Sequence, residues 1–330
     1  MKPTLSLPMP TCFLLILLSI AVASQSRADD AGVNKKRAKQ NDKSSTATTD
    51  SKTKSFQLSD LNVVQRKETY KKIGDVTLDI DIFEPKLKDP SKKYPAVVFF
   101  FGGGWNGGSP SQFFPHCEYF AGRGMITMAA DYRVQGRNKT TPAECVMDGK
   151  SAVRWIRANA ERLGVDPARL AAGGGSAGGH VAAAIATTLG FEEKSDDAKV
   201  SYMPNALILF NPVFDNGPKG YGYDRVKDIF PAISPINNLR PGTPPTIVFL
   251  GTKDNLIPVA TAENYKAQML KNGDRSELFL YKDQPHGFFN YREATKHFYY
   301  RTIFETDKFL ASLGWLDGEP KIATESMKLE

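Results

Sequence analysis

Cysteine and histidine are scarce in this chain, with three cysteines and four histidines in 330 residues. No cysteine stands in a CxxC spacing, so a structural zinc site of the usual kind is not expected, and neither is a thiol-based redox centre. The GxxxxGK[ST] phosphate loop is absent, which argues against a nucleotide site. Past the first few dozen residues no apolar run is long enough to cross a bilayer. Net charge is also modest where it matters. Of the formal +7, most belongs to Lys2, Arg27 and the lysine-rich stretch 29–55. The remaining chain is nearly neutral, which gives no electrostatic reason to expect a nucleic acid partner.

What is present divides the chain into three parts. Residues 1–28 join an apolar run from Cys12 to Ala23 to small residues suited to cleavage, the pattern of a secretory signal. Residues 29–55, "DDAGVNKKRAKQNDKSSTATTDSKTKS", contain almost nothing that packs and read as a disordered basic linker. From 56 to 330 the pattern is globular. An exported protein keeps two cysteines after signal removal, Cys117 and Cys145, and the sequence leaves a disulfide and two buried thiols equally open.

The globular part alternates strands and helices. "ETYKKIGDVTLDIDIFEP" reads as a hairpin turning near Gly74-Asp75, and "YPAVVFFF" as a strand buried on both faces. A helical stretch, the strand "MITMAAD" and a long helix in "TPAECVMDGKSAVRWIRANAERLG" follow. In that helix Lys150, Arg154 and Arg157 are expected on the wet face. Then come the strand "RLAAGG", a helix from Ala177, the strands "NALILFNP" and "PTIVFLG", a helix, the strand "SELFLYK" and a closing helix over 292–313. This order predicts an α/β fold with a mainly parallel, doubly wound sheet of about eight strands and an antiparallel N-terminal hairpin.

In such sheets ligands sit beyond the carboxyl ends of the strands. Gly174-Gly175-Ser176-Ala177-Gly178 lies at one of those ends and opens a helix, which places a GxSxG motif on a sharp strand-to-helix turn with Ser176 projected outward. A serine hydroxyl needs a base within reach. Of the histidines, His116 precedes the serine, His180 sits on the serine's own helix and His297 falls inside the closing helix. His286, in a Pro-Gly loop after the last strand, stands where a base belongs. The orienting carboxylate is expected to be Asp254, just past "PTIVFLG", with Asp215 as its rival after the preceding strand. Backbone amides of Gly103 and Gly104 in "FFFGGGWNGG", together with Ala177, are candidates to hold an oxyanion. The irregular segment 212–240 is expected to overlie the site. Trp105, Tyr221 and Tyr223 are candidates for an aromatic substrate wall there, and equally candidates for packing.

These motifs together resemble the alpha/beta-hydrolase superfamily, in the acetyl esterase/lipase branch related to hormone-sensitive lipase. The resemblance covers about residues 61–315. It rests on Phe101-Gly102-Gly103-Gly104 against the family's HGGG, on Asp131-Tyr132-Arg133, on Gly174 to Gly179 against GDSAGG, and on Asp254 with His286-Gly287-Phe288. Two positions depart from it: Phe101 replaces a histidine that helps brace the oxyanion loop, and Gly175 replaces an acidic residue. The chain is similar to exported bacterial esterases acting on carbohydrate or xylan. The resemblance implies a serine esterase without metal or organic cofactor that acts on small-molecule or carbohydrate esters in the periplasm or outside the cell.

Overall fold

Alternation from Val63 onward folds into the expected hairpin. Strand β1 (Val63–Ile73) turns through Gly74 and Asp75 into β2 (Val76–Pro85). The computed structural model describes residues 57–322 and 324–327, so the expected signal segment 1–28 and linker 29–55 lie outside the described residues. Next come β3 (Tyr94–Phe100), α1 (Phe114–Gly122), β4 (Ile126–Ala130), and the helices α2 (Gln135–Asn138), α3 (Pro142–Ala158) and α4 (Ala160–Leu163). Then β5 (Val165–Gly175) leads into α5 (Ala177–Thr187) and β6 (Ala206–Phe210). Two single-turn helices follow, α6 (Tyr223–Val226) and α7 (Phe230–Ile233), before β7 (Thr246–Gly251), α8 (Val259–Lys271), β8 (Ser276–Tyr281) and α9 (Lys296–Ser312).

The strands form one eight-stranded sheet in the order β1-β2-β4-β3-β5-β6-β7-β8. The hairpin joins β4 in antiparallel fashion, and every pairing from β4 to β8 is parallel. Strands β3, β4, β6 and β7 are almost wholly buried and run as nearly continuous apolar sequence, as is β5 from Leu170 onward, because helices cover both faces. One apolar layer packs α3, α5 and α8 on the sheet, with Val153, Val181 and Tyr265 against Val98 and Leu209. The other packs α1 and α9, with Phe120, Tyr299 and Leu310 against Phe99 and Ile208. The start of α3 is fixed by a capping box. The Thr141 hydroxyl accepts from the Ala143 amide, and the Glu144 carboxylate accepts from the Thr141 amide at 2.8 Å.

Two expectations need correction or settlement here. Lys150 and Arg154 do not face water, being 0% and 6% exposed. The segment between α5 and β6 folds back over this face of α3 and supplies acceptors. Lys150 Nζ donates to the Thr188 carbonyl at 3.0 Å and lies 4.2 Å over the Tyr202 ring. Arg154 pairs with Glu192 and Asp196 and donates to the Val200 carbonyl. Burial holds the Lys150 ammonium down at a pKa of about 8. Arg157 is half-buried and donates to the Ser201 carbonyl at 2.9 Å. Cys117 and Cys145 are both free thiols, buried in the layers on opposite faces of the sheet. A bridge between them would have to pass through β-structure, so the thiol alternative describes the fold.

Candidate active site

The parallel strands end on one edge, and the loops that leave it carry the polar groups. After β5 the chain turns at Ser176, whose φ of 55° and ψ of −120° lie where a non-glycine residue is strained. The turn is held on both sides. The Ser176 amide donates to the Phe210 carbonyl at 2.9 Å, and the His180 amide donates to the Ser176 carbonyl at 3.0 Å. The tightness of this elbow accounts for the glycines. A Cβ at Gly178 would lie 2.0 Å from the Phe100 carbonyl oxygen, and one at Gly175 would lie 2.4 Å from Cζ of Phe289. A methyl at 178 would meet backbone and one at 175 the Phe289 ring, so the close approach at both places depends on glycine having no side chain.

Ser176 Oγ lies 2.9 Å from His286 Nε2, and His286 Nδ1 lies 2.7 Å from Asp254 Oδ2. The carboxylate can only accept, so Nδ1 carries the proton and Nε2 is left as the acceptor facing the serine hydroxyl. The Asp254 side chain is fully enclosed, and its other oxygen accepts from the amides of Leu256 and Ile257, both at 2.9 Å. The carboxylate is thus pinned by backbone donors while one oxygen addresses the ring. The rival Asp215 instead caps a turn, accepting from the Gly217 amide at 2.7 Å.

The triple-glycine loop leaves β3 against this pair. A Cβ at Gly102 would sit 3.3 Å from Ser176 Cβ, so the loop touches the serine turn. The Gly102 amide is taken by Gln112 Oε1 at 2.6 Å, whereas among the described residues the amides of Gly103 and Gly104 meet no acceptor. Ala177 opens α5, where the first amides of a helix have no partner within it. Phe101, standing where the resembled family has histidine, stacks on Tyr132 at 4.2 Å, and the Tyr132 hydroxyl donates to the Phe101 carbonyl at 2.6 Å.

The other histidines are packed. His116 is enclosed by Phe113, Phe210 and Tyr299, and burial pushes its pKa down to about 3. His180 has its Nε2 on the Ile233 carbonyl at 3.1 Å and tethers the segment 212–240 to α5. His297 lies in α9 with its ring 4.1 Å from that of Phe298. Trp105 is enclosed, at 1% exposure, between His180 and Tyr221, so the packing alternative describes it and its ring offers no face to a ligand. Tyr221 is half-buried beside Gly104, and Tyr223 is half-buried against Phe230.

Three residues near the serine were not singled out from the sequence: Gln112, Asn211 and Asn290. Asn211, fully buried just past β6, accepts from the Gly287 amide at 3.0 Å and has Nδ2 3.4 Å from His286 Nε2. Its place at a strand end was a usable signal. Neutral amides on loops otherwise carry no pattern.

The family model described as BD-FAE matches residues 80–215. Among solved structures, the chain is 44% identical to Thermogutta terrifontis esterase 2, covering 77% of this chain and 97% of that one with a TM-score of 0.75. That esterase has also been solved with propionate and with butyrate bound. Among curated proteins, the chain is 27% identical to the esterase LipC of Mycobacterium tuberculosis, over 60% of this chain and 54% of that protein. It is likewise 27% identical to an acetylxylan esterase of Xylanibacter ruminicola, over 58% of this chain and 41% of that protein. The chain spans about half the length of these and similar curated relatives.

Proposed function

The chain belongs to the alpha/beta-hydrolase esterases of the hormone-sensitive-lipase-like branch, and from that premise we propose that it hydrolyses short-chain carboxylic esters through an acyl-Ser176 intermediate. The observation that carries the reading is the contact of Ser176 Oγ with the unprotonated nitrogen of a ring held by Asp254. In the first half-reaction Ser176 Oγ attacks the ester carbonyl and His286 Nε2 takes its proton. Negative charge gathers on the carbonyl oxygen, where the amides of Gly103, Gly104 and Ala177 donate to it. Collapse expels the alcohol, which leaves with the proton from Nε2. Water then adds to the acyl-serine, again giving its proton to Nε2. The second collapse returns that proton to Ser176 Oγ and releases the carboxylic acid. Asp254 keeps its charge throughout and stabilises the imidazolium.

Short acyl groups, acetyl among them, are favoured because the segment 212–240 contributes only single-turn helices and no long lid helix. The similar esterase solved with propionate and butyrate supports the same size class. Acetylated carbohydrate is the proposed alcohol class, on the similarity to an acetylxylan esterase. Export through the segment 1–28 is part of the proposal and is checked by the mass of the chain recovered from periplasm or medium. The decisive experiment compares p-nitrophenyl acetate, butyrate and decanoate, acetylated xylan and a peptide anilide, with Ser176→Ala as control. Acetate or butyrate turnover should lead, and Ser176→Ala should lose about four orders of magnitude in kcat with an unchanged melting temperature. Faster cleavage of the anilide, or an active Ser176→Ala, would overturn the reading.

A further inference from the structure

Beyond the serine, histidine and carboxylate, a line of amide side chains joins the oxyanion loop to the loop that carries His286. It begins at Gly102, whose amide donates to Gln112 Oε1 at 2.6 Å. Gln112 then has only its NH2 group for Asn290, and Nε2 donates to Asn290 Oδ1 at 2.9 Å. Asn290 in turn uses Nδ2 to donate to the Gly287 carbonyl at 2.7 Å. The Gly287 amide donates to Asn211 Oδ1, which leaves Asn211 Nδ2 facing His286 Nε2. Each orientation is forced by its neighbour, since a backbone N–H can only donate and a carbonyl can only accept. The line starts one residue before Gly103 and ends on the nitrogen that faces Ser176.

Beneath the amides lies a rigid base. Phe113 follows Gln112 and Phe289 precedes Asn290, and these two buried rings stack at 5.8 Å. Phe113 also stacks on Phe99 at 4.9 Å and Phe289 on Phe210 at 4.7 Å. The backbone of each loop is therefore anchored in the core, while the Gln112–Asn290 contact spans them on the side of the serine.

We propose that Gln112 and Asn290 are positioning residues that set the separation between the oxyanion amides and His286. The inference rests on the ester-hydrolase reading. A tetrahedral adduct on Ser176 spans the two loops, its oxyanion on one and its leaving oxygen on the other. Misplacement of such groups by about 1 Å can cost 100-fold in rate. A bridge that accepts and donates in fixed sense holds that span through both half-reactions.

The test uses the full chain with Gln112→Ala, Asn290→Ala, the double variant and Gln112→Glu, read by p-nitrophenyl acetate kinetics and by hydrogen–deuterium exchange. Each single variant should lose about tenfold or more in kcat with KM within about twofold, and the double should be no worse than the poorer single. Gln112→Glu keeps an acceptor for Gly102 and loses the donor for Asn290, so it should resemble Asn290→Ala and not the parent. Exchange should quicken across the bridge: at residues 101–108 in Asn290→Ala and at 284–292 in Gln112→Ala. Additive kcat losses, a Gln112→Glu with parental kcat, or exchange confined to the altered loop would each overturn the proposal. A parent chain without ester turnover would sink the functional reading instead, and the exchange arm would still decide the bridge.

Discussion

Replacing Gly175 with alanine asks whether the glycine before Ser176 is there for space or for flexibility. Its backbone is one that alanine adopts without strain, so the cost is steric alone. The added methyl would lie 2.4 Å from Phe289 Cζ, with the two adjacent ring carbons at 3.1 and 3.2 Å. Carbon atoms rest at about 3.5–4.0 Å, so the ring must withdraw by roughly 1 Å. It has nowhere to go. Phe289 is 1% exposed, stacked on Phe210 and Phe113, and meets His116 edge-on. Overpacking of this kind costs about 1–3 kcal/mol, and a rigid neighbour places Gly175→Ala near 3. Phe289→Ala leaves a cavity instead and should cost about 3–5 kcal/mol. In the double variant the methyl enters space the ring has vacated, so the two costs should fall short of their sum by about 1–3 kcal/mol. Urea unfolding of the four proteins, followed by circular dichroism, measures this cycle. Costs that add to within about 0.5 kcal/mol would refute the reasoning, because they would mean that methyl and ring do not compete.

Asp254→Asn should lower kcat by about 10⁴, because an amide can hold the ring in the wrong tautomer, whereas Asp215→Asn should leave ester turnover within about twofold of the parent. Equal losses in steady-state assays would return the acid role to Asp215. His116 folds as a neutral ring, with a pKa held near 3 by burial against 6.5 when exposed. Between those values the unfolded chain binds more protons than the native one, so stability must fall as pH drops from 6.5 towards 3. His116→Phe should flatten this acid limb in melting curves taken between pH 3.5 and 8. It should do so only in part, since His180, lowered to about 4 by burial, pulls in the same direction. An unchanged slope would show that the ring is solvated.

The meeting of Ser176, Asp254 and His286 could be read from sequence because each stands past the end of a strand, and the parallel sheet brings strand ends together. With four histidines in the chain, the order of elements left one suitable base. The charged face of α3 could not be read the same way. Helical periodicity separates polar from apolar faces, but Lys150 and Arg154 are buried by the segment after α5, whose carbonyls and carboxylates receive them. No local pattern announces that cover. The sequence leaves Trp105 open between a substrate wall and packing for a related reason: its sequence neighbours do not show that Tyr221 of the segment 212–240 and His180 of α5 enclose it.

The two departures from the resembled family belong to one physical arrangement. Where the family has histidine, Phe101 stacks on Tyr132 and is held through its carbonyl by the tyrosine hydroxyl. Where the family has an acidic side chain, Gly175 leaves room for Phe289, whose stack reaches Phe113 across the loop. Both changes replace a polar side chain at the serine turn with aromatic packing, and packing fixes distance without fixing the direction of a hydrogen bond. Direction then has to come from elsewhere. Gln112 and Asn290 stand directly beside Phe113 and Phe289 and are the groups that supply it. The aromatic base and the amide bridge are therefore two layers of one device, so an acidic residue at 175 would displace Phe289 and, through the adjoining Asn290, loosen the loop that carries His286.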